Sequence, residues 1–253
     1  MSLTLTGARS ELGKLLSARE TRTNVHINIA GQQANTLLHD GHAWKDFQRG
    51  ALAGARRAVR ADASVLVHAS FAFVITEPAR DPLRSLAQTI RECEEIVLAG
   101  PVPACVVRLG YLYGPTSRDL RAYRTAFRLG RPYWAGPRNA LQYHLHYDDA
   151  VSALLAAAKV RNAGKTFYAT DGRPLSFMQF MDDFARKWGR RMPLHVPRLA
   201  APLMRLVVRK EHVQQCDHAM PAQAPKPSVP GWKPLHVDYR SCQDEIIAAW
   251  DSR

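Results

Sequence analysis

The chain has 253 residues, 46% of them hydrophobic, and carries 35 Lys and Arg against 22 Asp and Glu, a formal net charge of +13. That length and apolar content suit one large α/β domain with at most a small appendage. No run of about 18 uninterrupted apolar residues occurs, which excludes a transmembrane helix, and the four cysteines lack CxxC spacing, which argues against a metal site and for a reduced compartment. The positive balance favours anionic partners such as a phosphate-bearing cofactor, a phospholipid surface or an acidic protein. No nucleic-acid module accompanies it, so nucleic acid is not an expected partner.

In chain order, "SLTLTG" predicts a strand entering a turn, and "ELGKLLSARE" a short helix with Leu12, Leu15 and Leu16 on one face. The first strand begins at about Ser2, so no separate targeting segment is expected ahead of it. "TNVHINIAG" is strand-like, "WKDFQRGALAGARRAVRADA" an amphipathic helix and "SVLVHASFAFV" a buried strand. "PLRSLAQTIRECEEIVLAG" predicts a helix ended by Gly100, and "ACVVRLGYLYGP" a single strand stopped by a Gly-Pro turn. A helix "DLRAYRTAFRLG", a polar and aromatic loop, and a helix "DDAVSALLAAAKV" opened by two acids follow. Then come a strand "GKTFYAT" and a helix "SFMQFMDDFARKWG" with Ser176 as N-cap. The tail holds an apolar, arginine-flanked segment over 197–210 and a proline-rich stretch, "MPAQAPKPSVPGWKP", read as irregular.

Strand and helix alternate, which predicts a Rossmann-like, mostly parallel sheet with helices on both faces. The expected division is 1–164 for that domain and 165–253 for a smaller C-terminal subdomain. Over nearly its whole length the chain resembles the atypical or extended short-chain dehydrogenase/reductase superfamily. "TGARSELG" is similar to that family's TGxxGxxG loop, "VLVHASFAFV" to its serine-bearing strand, "VVRLGYLYGP" to its R-P-x-x-V-Y-G-P signature and "HLHYDDAVSALLAAA" to its H-V-x-D-V-A segment. The resemblance implies NADP(H) as cofactor, with Gly7, Arg9, Ser10 and Gly13 as a remnant of its phosphate loop. Ser10 replaces the middle glycine, Glu11 adds negative charge beside the phosphates, and Arg9 is placed to offset it or to meet a 2′-phosphate.

Two departures stand out. Only Lys14 to Thr23 separate Gly13 from the "NVHINIAG" strand, so the region holding the family's second and third strands is missing. The sheet is then trimmed on one side and the adenine pocket loses a wall. The catalytic trio is also lost. Alignment puts Ala87 and Arg91 at the Tyr-x-x-x-Lys positions and Phe71 at the serine, unless Ser70 substitutes; a shift by one gives Leu86 and Ile90. No catalytic residue is therefore assigned.

Within the superfamily the chain most resembles the dehydrogenase-like accessory subunit of mitochondrial respiratory complex I, through "NVHINIAG", "LVHASFAF", "AYRTAFRLGRPYWAG" and "VPRLAAPLMRLVVR". That implies a non-catalytic structural or assembly role, partners among subunits of a large membrane-associated complex, and a place on the matrix side of the inner mitochondrial membrane. The 197–210 segment is then expected to contact the membrane surface or a partner. The alternative is a soluble NADP-dependent reductase or isomerase of the atypical branch in a bacterial cytoplasm, and the third reading a basic scaffold in a ribonucleoprotein.

His26, His68, His144 and His146 lie apart on strands and loops without metal-ligand spacing, so no metal is expected. Tyr111 and Tyr113 alternate on a strand and are read as core or pocket wall. Asp148 and Asp149 are read as the cap and dipole partners of their helix.

Overall fold

A computed structural model describes residues 2–19, 24–36, 41–189, 191–200 and 210–251. In chain order the elements are β1 (Leu3–Thr6), α1 (Glu11–Ser17), β2 (Val25–Asn28), α2 (Gly41–Ala58), β3 (Val65–Phe71), α3 (Leu83–Leu98), β4 (Ala104–Leu109) and β5 (Tyr111–Tyr113). They continue with α4 (Arg118–Arg128), β6 (Leu141–Gln142), β7 (His144–His146), α5 (Tyr147–Ala157), β8 (Thr166–Ala169), β9 (Leu175–Ser176), α6 (Phe177–Lys187), α7 (Lys210–Asp217) and α8 (Tyr239–Asp251).

Five strands form one parallel sheet in the order β1-β2-β3-β4-β8. The expected parallel α/β architecture holds, and so does its trimming. Spatial order follows chain order because nothing lies on the far side of β1 among the described residues, and β1 is an edge strand. β8 follows the sequence division at residue 164, yet it pairs with β4 as the fifth strand of the main sheet.

The two faces of the sheet differ. Val25, Ile27 and Ile29 of the second strand region, Val65, Val67 and Ala69 of β3, and Cys105, Val107 and Leu109 of β4 pack with Leu12, Leu16, Val151 and Leu154 of α1 and α5 into a wholly apolar core. The alternate positions face α2 and α3 and mix apolar residues, such as Leu66 and Ala104, with a row of polar ones. Thr4 and Thr6 hold both ring nitrogens of His26 at 2.8 Å, Asn28 Nδ2 meets His68 Nδ1 at 3.0 Å, and Ser70 bonds Glu94. The alternation is visible in "LTLT" and "VHIN", although in β2 and β3 both faces are buried and the polar residues are held by one another rather than by solvent.

The expected single strand over "ACVVRLGYLYGP" is two. The chain leaves the main sheet at Gly110, whose N–H bonds Ala169 O, and Tyr111 turns to pair with β7. The tail also holds more helix than expected, in α7 and α8. Trp250, Cys242, Ile246 and Tyr239 join Phe180, Phe184 and Trp188 of α6 in an aromatic core over the carboxyl side of the sheet.

Candidate nucleotide site

The turn between β1 and α1 keeps two glycines for backbone reasons. Gly7 has φ of 94°, a conformation costly for any residue with a Cβ, and a Cβ there would sit 3.0 Å from the Ile29 and Ala30 backbone. A Cβ on Gly13 would come 2.5 Å from Ala8 O, so α1 packs directly on the turn. Ser10 is the N-cap of α1. Its Oγ accepts from Gly13 N at 3.1 Å and donates to Gly7 O at 3.0 Å, so the protein itself takes one of the helix's free amides. Glu11 pairs with Lys14 at 3.0 Å. The charge expected to oppose a phosphate is thus balanced by Lys14, while Arg9 faces the adjoining cleft.

That cleft, of about 380 Å³, lies beyond the carboxyl ends of β1 and β2. Arg9, Ser10, Gln32, Gln33, Thr116, Arg118 and Tyr147 line it. It is open to the amino ends of both α1 and α4. Ser117, the N-cap of α4, makes no side-chain cap bond, and Thr116 Oγ1 is buried without a partner among the described residues. Glu11 and Asp119 line it as well, so two carboxylates match the two guanidiniums, and what favours an anionic group is the pair of helix amino ends with the Thr116 hydroxyl between them. The α1 side is visible in the sequence and the α4 side is not, because "ACVVRLGYLYGP" reads as one strand there.

The residues at the family's catalytic positions do not form a reaction centre. Phe71 is 3% exposed and packs edge-on against Phe47 and Phe73, at 5.4 and 5.9 Å between ring centres. Ala87 is fully buried in the same core. Arg91 donates to Val74 O at 2.8 Å and pairs with Glu77. Ser70 does not substitute for the missing serine, since its Oγ donates to Glu94 Oε1 on the α3 side of the sheet. The strand ends are closed by Gln32, which donates to the Ala69 and Ser70 carbonyls, and by Asn35, which donates to Gly110 O and to Gln32.

The four histidines are dispersed, and among the described residues no three His, Cys, Asp or Glu side chains gather as a metal site. Burial lowers the pKa of His68 to about 4 and of His144 to about 3, and it lowers those of His26 and His146 as well. All four cysteines are buried and free. Tyr111 and Tyr113 are core residues, as expected. The α5 cap differs from expectation. His146 is the N-cap, accepting from Asp148 N at 3.3 Å, and Asp149 reaches instead to Leu235 N and His236 N at 2.7 and 2.9 Å. A two-residue-earlier cap frees Asp149 to hold the tail. Most of the 197–210 segment, residues 201–209, lies outside the described residues. No described helix is long and apolar enough to cross a membrane.

This sheet, with its glycine turn and the cleft at its carboxyl end, is the fold of the NAD(P)-binding dehydrogenase/reductase and epimerase structures. The human epimerase family protein SDR39U1, solved with NADPH, superposes with a TM-score of 0.73 at 13% identity, over 98% of this chain and 99% of that one. MoeE5, solved with UDP-glucose and NAD, gives 0.74 at 16% identity over 100% and 99%. RMD from Pseudomonas aeruginosa, solved with NADPH, gives 0.67 at 17% identity over 99% of each chain. Among curated proteins, a 3-diazoavenalumate denitrifying reductase from Streptomyces sp is 30% identical over 156 residues, which span 60% of this chain and 50% of the relative. No protein-family profile matches the chain.

Proposed function

We propose that the chain is an NADP(H)-dependent reductase of the atypical dehydrogenase/reductase type that works without the Ser-Tyr-Lys trio. The observation that carries this reading is the cleft between the amino ends of α1 and α4, lined by Arg9 and Arg118. The residues fit the phosphate part of a dinucleotide. Gly7 and Gly13 keep the turn close to the strand ends, and Thr116 Oγ1 stands unsatisfied beside it. They fit the adenosine end less well, because β1 is an edge and no acidic residue follows at the end of a second strand.

Bound NADPH supplies a hydride. In this reading Arg9 and Arg118 hold the phosphates, and Gln32 and Asn35 close the strand ends to water. No acid stands at the tyrosine position, so the substrate class is one that accepts hydride without protonation. The Streptomyces relative, named as a denitrifying reductase of a diazo compound, points to such a class. NADPH held in the cleft would supply the hydride that a diazonium carbon accepts as dinitrogen leaves with the C–N bond pair, a replacement that needs no proton from the protein.

The second reading is a non-catalytic accessory subunit of respiratory complex I, supported by the burial of Phe71 and Ala87 where the chemistry would stand. One experiment separates the two. NADPH binding that Arg9→Ala and Arg118→Ala weaken, with NADPH consumed in the presence of an aryl diazonium, supports the reductase. Absence of NADPH binding at millimolar concentration sinks it, and migration in a large assembly with NADH-dehydrogenase subunits establishes the accessory role.

A further inference from the structure

The missing flank leaves a second feature, independent of the nucleotide cleft. Val25 N bonds Ser2 O at 3.0 Å and Ile29 N bonds Thr6 O at 2.9 Å. In a parallel ladder alternate residues serve each neighbour, so Ser2, Thr4 and Thr6 face β2, while the N–H and C=O of Leu3 and Leu5 point outward. Among the described residues nothing pairs with them. Natural sheets cover, charge or distort such an edge. Here the edge opens instead onto a hollow of about 690 Å³ on the α2 side, floored by Thr4, Thr6 and His26 and walled by Arg56, Arg57 and Arg60. The three guanidiniums are exposed and have no ion-pair partner among the described residues, and Asp62 is the one carboxylate lining the hollow.

We propose that β1 receives an extended segment of an acidic partner protein as a sixth strand, its carboxylates meeting Arg56, Arg57 and Arg60. A strand added to an edge pairs through its main chain and presents alternate side chains to each face. On the α2 face those side chains enter the arginine-walled hollow and are acidic. On the other face they cover the half-buried Leu3, Leu5 and Leu15 and are apolar. The partner segment therefore alternates acidic and apolar residues. Charge disfavours a second copy of this chain at the edge, since two-fold pairing of β1 brings two rows of three arginines together. A small anion satisfies the guanidiniums and leaves the Leu3 and Leu5 backbone unpaired.

The test uses the full chain and a fluorescein-labelled ten-residue peptide alternating glutamate and valine. Anisotropy should show saturable binding, weakened roughly tenfold or more by the triple variant Arg56→Ala/Arg57→Ala/Arg60→Ala. Those side chains are exposed on α2, so the variant is expected to fold, and circular dichroism verifies it. Amide exchange at Leu3 and Leu5 should slow in the complex. Binding no stronger than that of a lysine-valine peptide overturns the proposal, as does binding indifferent to the triple variant. Binding without protection of Leu3 and Leu5 reduces the hollow to a simple anion site. Protection of those amides without peptide, rising with protein concentration alongside a dimer mass, assigns the edge to a second copy.

Discussion

Glu94 on α3 and Arg108 on β4 are joined by two hydrogen bonds, 2.9 Å from Nε and 2.6 Å from Nη2, in a nearly dry layer between helix and sheet. Ser70 donates to the same carboxylate and Arg108 donates to Tyr168 Oη at 2.7 Å, so one network ties β3, α3, β4 and β8. Burial works against the Arg108 charge, but the bonds and charge of Glu94 outweigh it and hold the guanidinium pKa above its ordinary value. Removing one member of such a pair leaves an unpaired buried charge and costs about 3–5 kcal/mol. Glu94→Ala is therefore expected to lower stability by that order in urea denaturation, and the double change Glu94→Leu/Arg108→Met to recover most of the loss. Equal losses in the single and double variants would show that the network contributes no pairing specific to these two groups.

Stability should pass through a maximum near neutral pH, slightly on the acid side. Burial depresses His68 and His212 to about 4 and His144 to about 3, from 6.5. Their unfolded forms take up protons first, so their contribution is full above 6.5 and is lost as pH falls toward those values. Asp171 behaves oppositely, since burial raises it from 3.8 to about 8. Its contribution is full below 3.8 and is lost as pH rises through 8. Between about 4 and 6.5 these three histidines, with His26, His146 and His218 lowered in the same direction, outweigh one carboxyl and stability rises with pH; from 6.5 to about 8 Asp171 dominates and stability falls. Urea midpoints measured from pH 4.5 to 9 should trace this dome. Asp171→Asn should flatten the alkaline limb and steepen the acid one.

How much of this was legible in the sequence varies by element. β1 to β4 were visible because β-branched residues sit between turn signals, and the missing flank followed from counting ten residues between Gly13 and Asn24. Glu94 was not legible as a core group, since "ECEEIV" carries three carboxylates on one helix and only the position of Arg108 across the sheet selects one of them. α8 did carry a signal, with Cys242, Ile246 and Trp250 at intervals of four. Only the proline-rich stretch before it is read as irregular, and the residues after that stretch are given no element in the sequence reading. The α4 side of the cleft is hidden by the break at Gly110, beyond which Tyr111 N bonds Tyr143 O and pairing passes from β8 to β7, a tertiary switch that local propensity does not show.

Asp149 fastens the tail to the body. Its two oxygens accept from Leu235 N, His236 N and His236 Nδ1 at 2.7 to 2.9 Å, and the residue is 2% exposed. Asp149→Ala strands these donors, and hydrogen bonds to a buried charged acceptor contribute about 1.5–3 kcal/mol each. Global stability should fall by about 3 kcal/mol or more, and limited proteolysis should cut first between residues 221 and 238. A variant whose cleavage pattern matches the parent protein would mean that Trp232 bonding to Ser152 suffices to hold the segment.

The nucleotide turn can be pushed in both directions by changing one small side chain. Ser10 caps α1 and occupies Gly13 N, so its replacement by glycine should cost only a few tenths of a kcal/mol in stability. The same change frees that amide for a phosphate and removes the side chain from the approach, so Ser10→Gly should bind NADPH more tightly by calorimetry. Gly13→Ala acts oppositely. Its Cβ would meet the Ala8 backbone at 2.5 Å, a contact no side-chain rotation relieves, so the turn must shift. Overpacking of this kind costs about 1–3 kcal/mol, and the shift should also weaken NADPH binding. Ser10→Gly leaving affinity unchanged while Gly13→Ala lowers only stability would show that the turn is retained for packing alone.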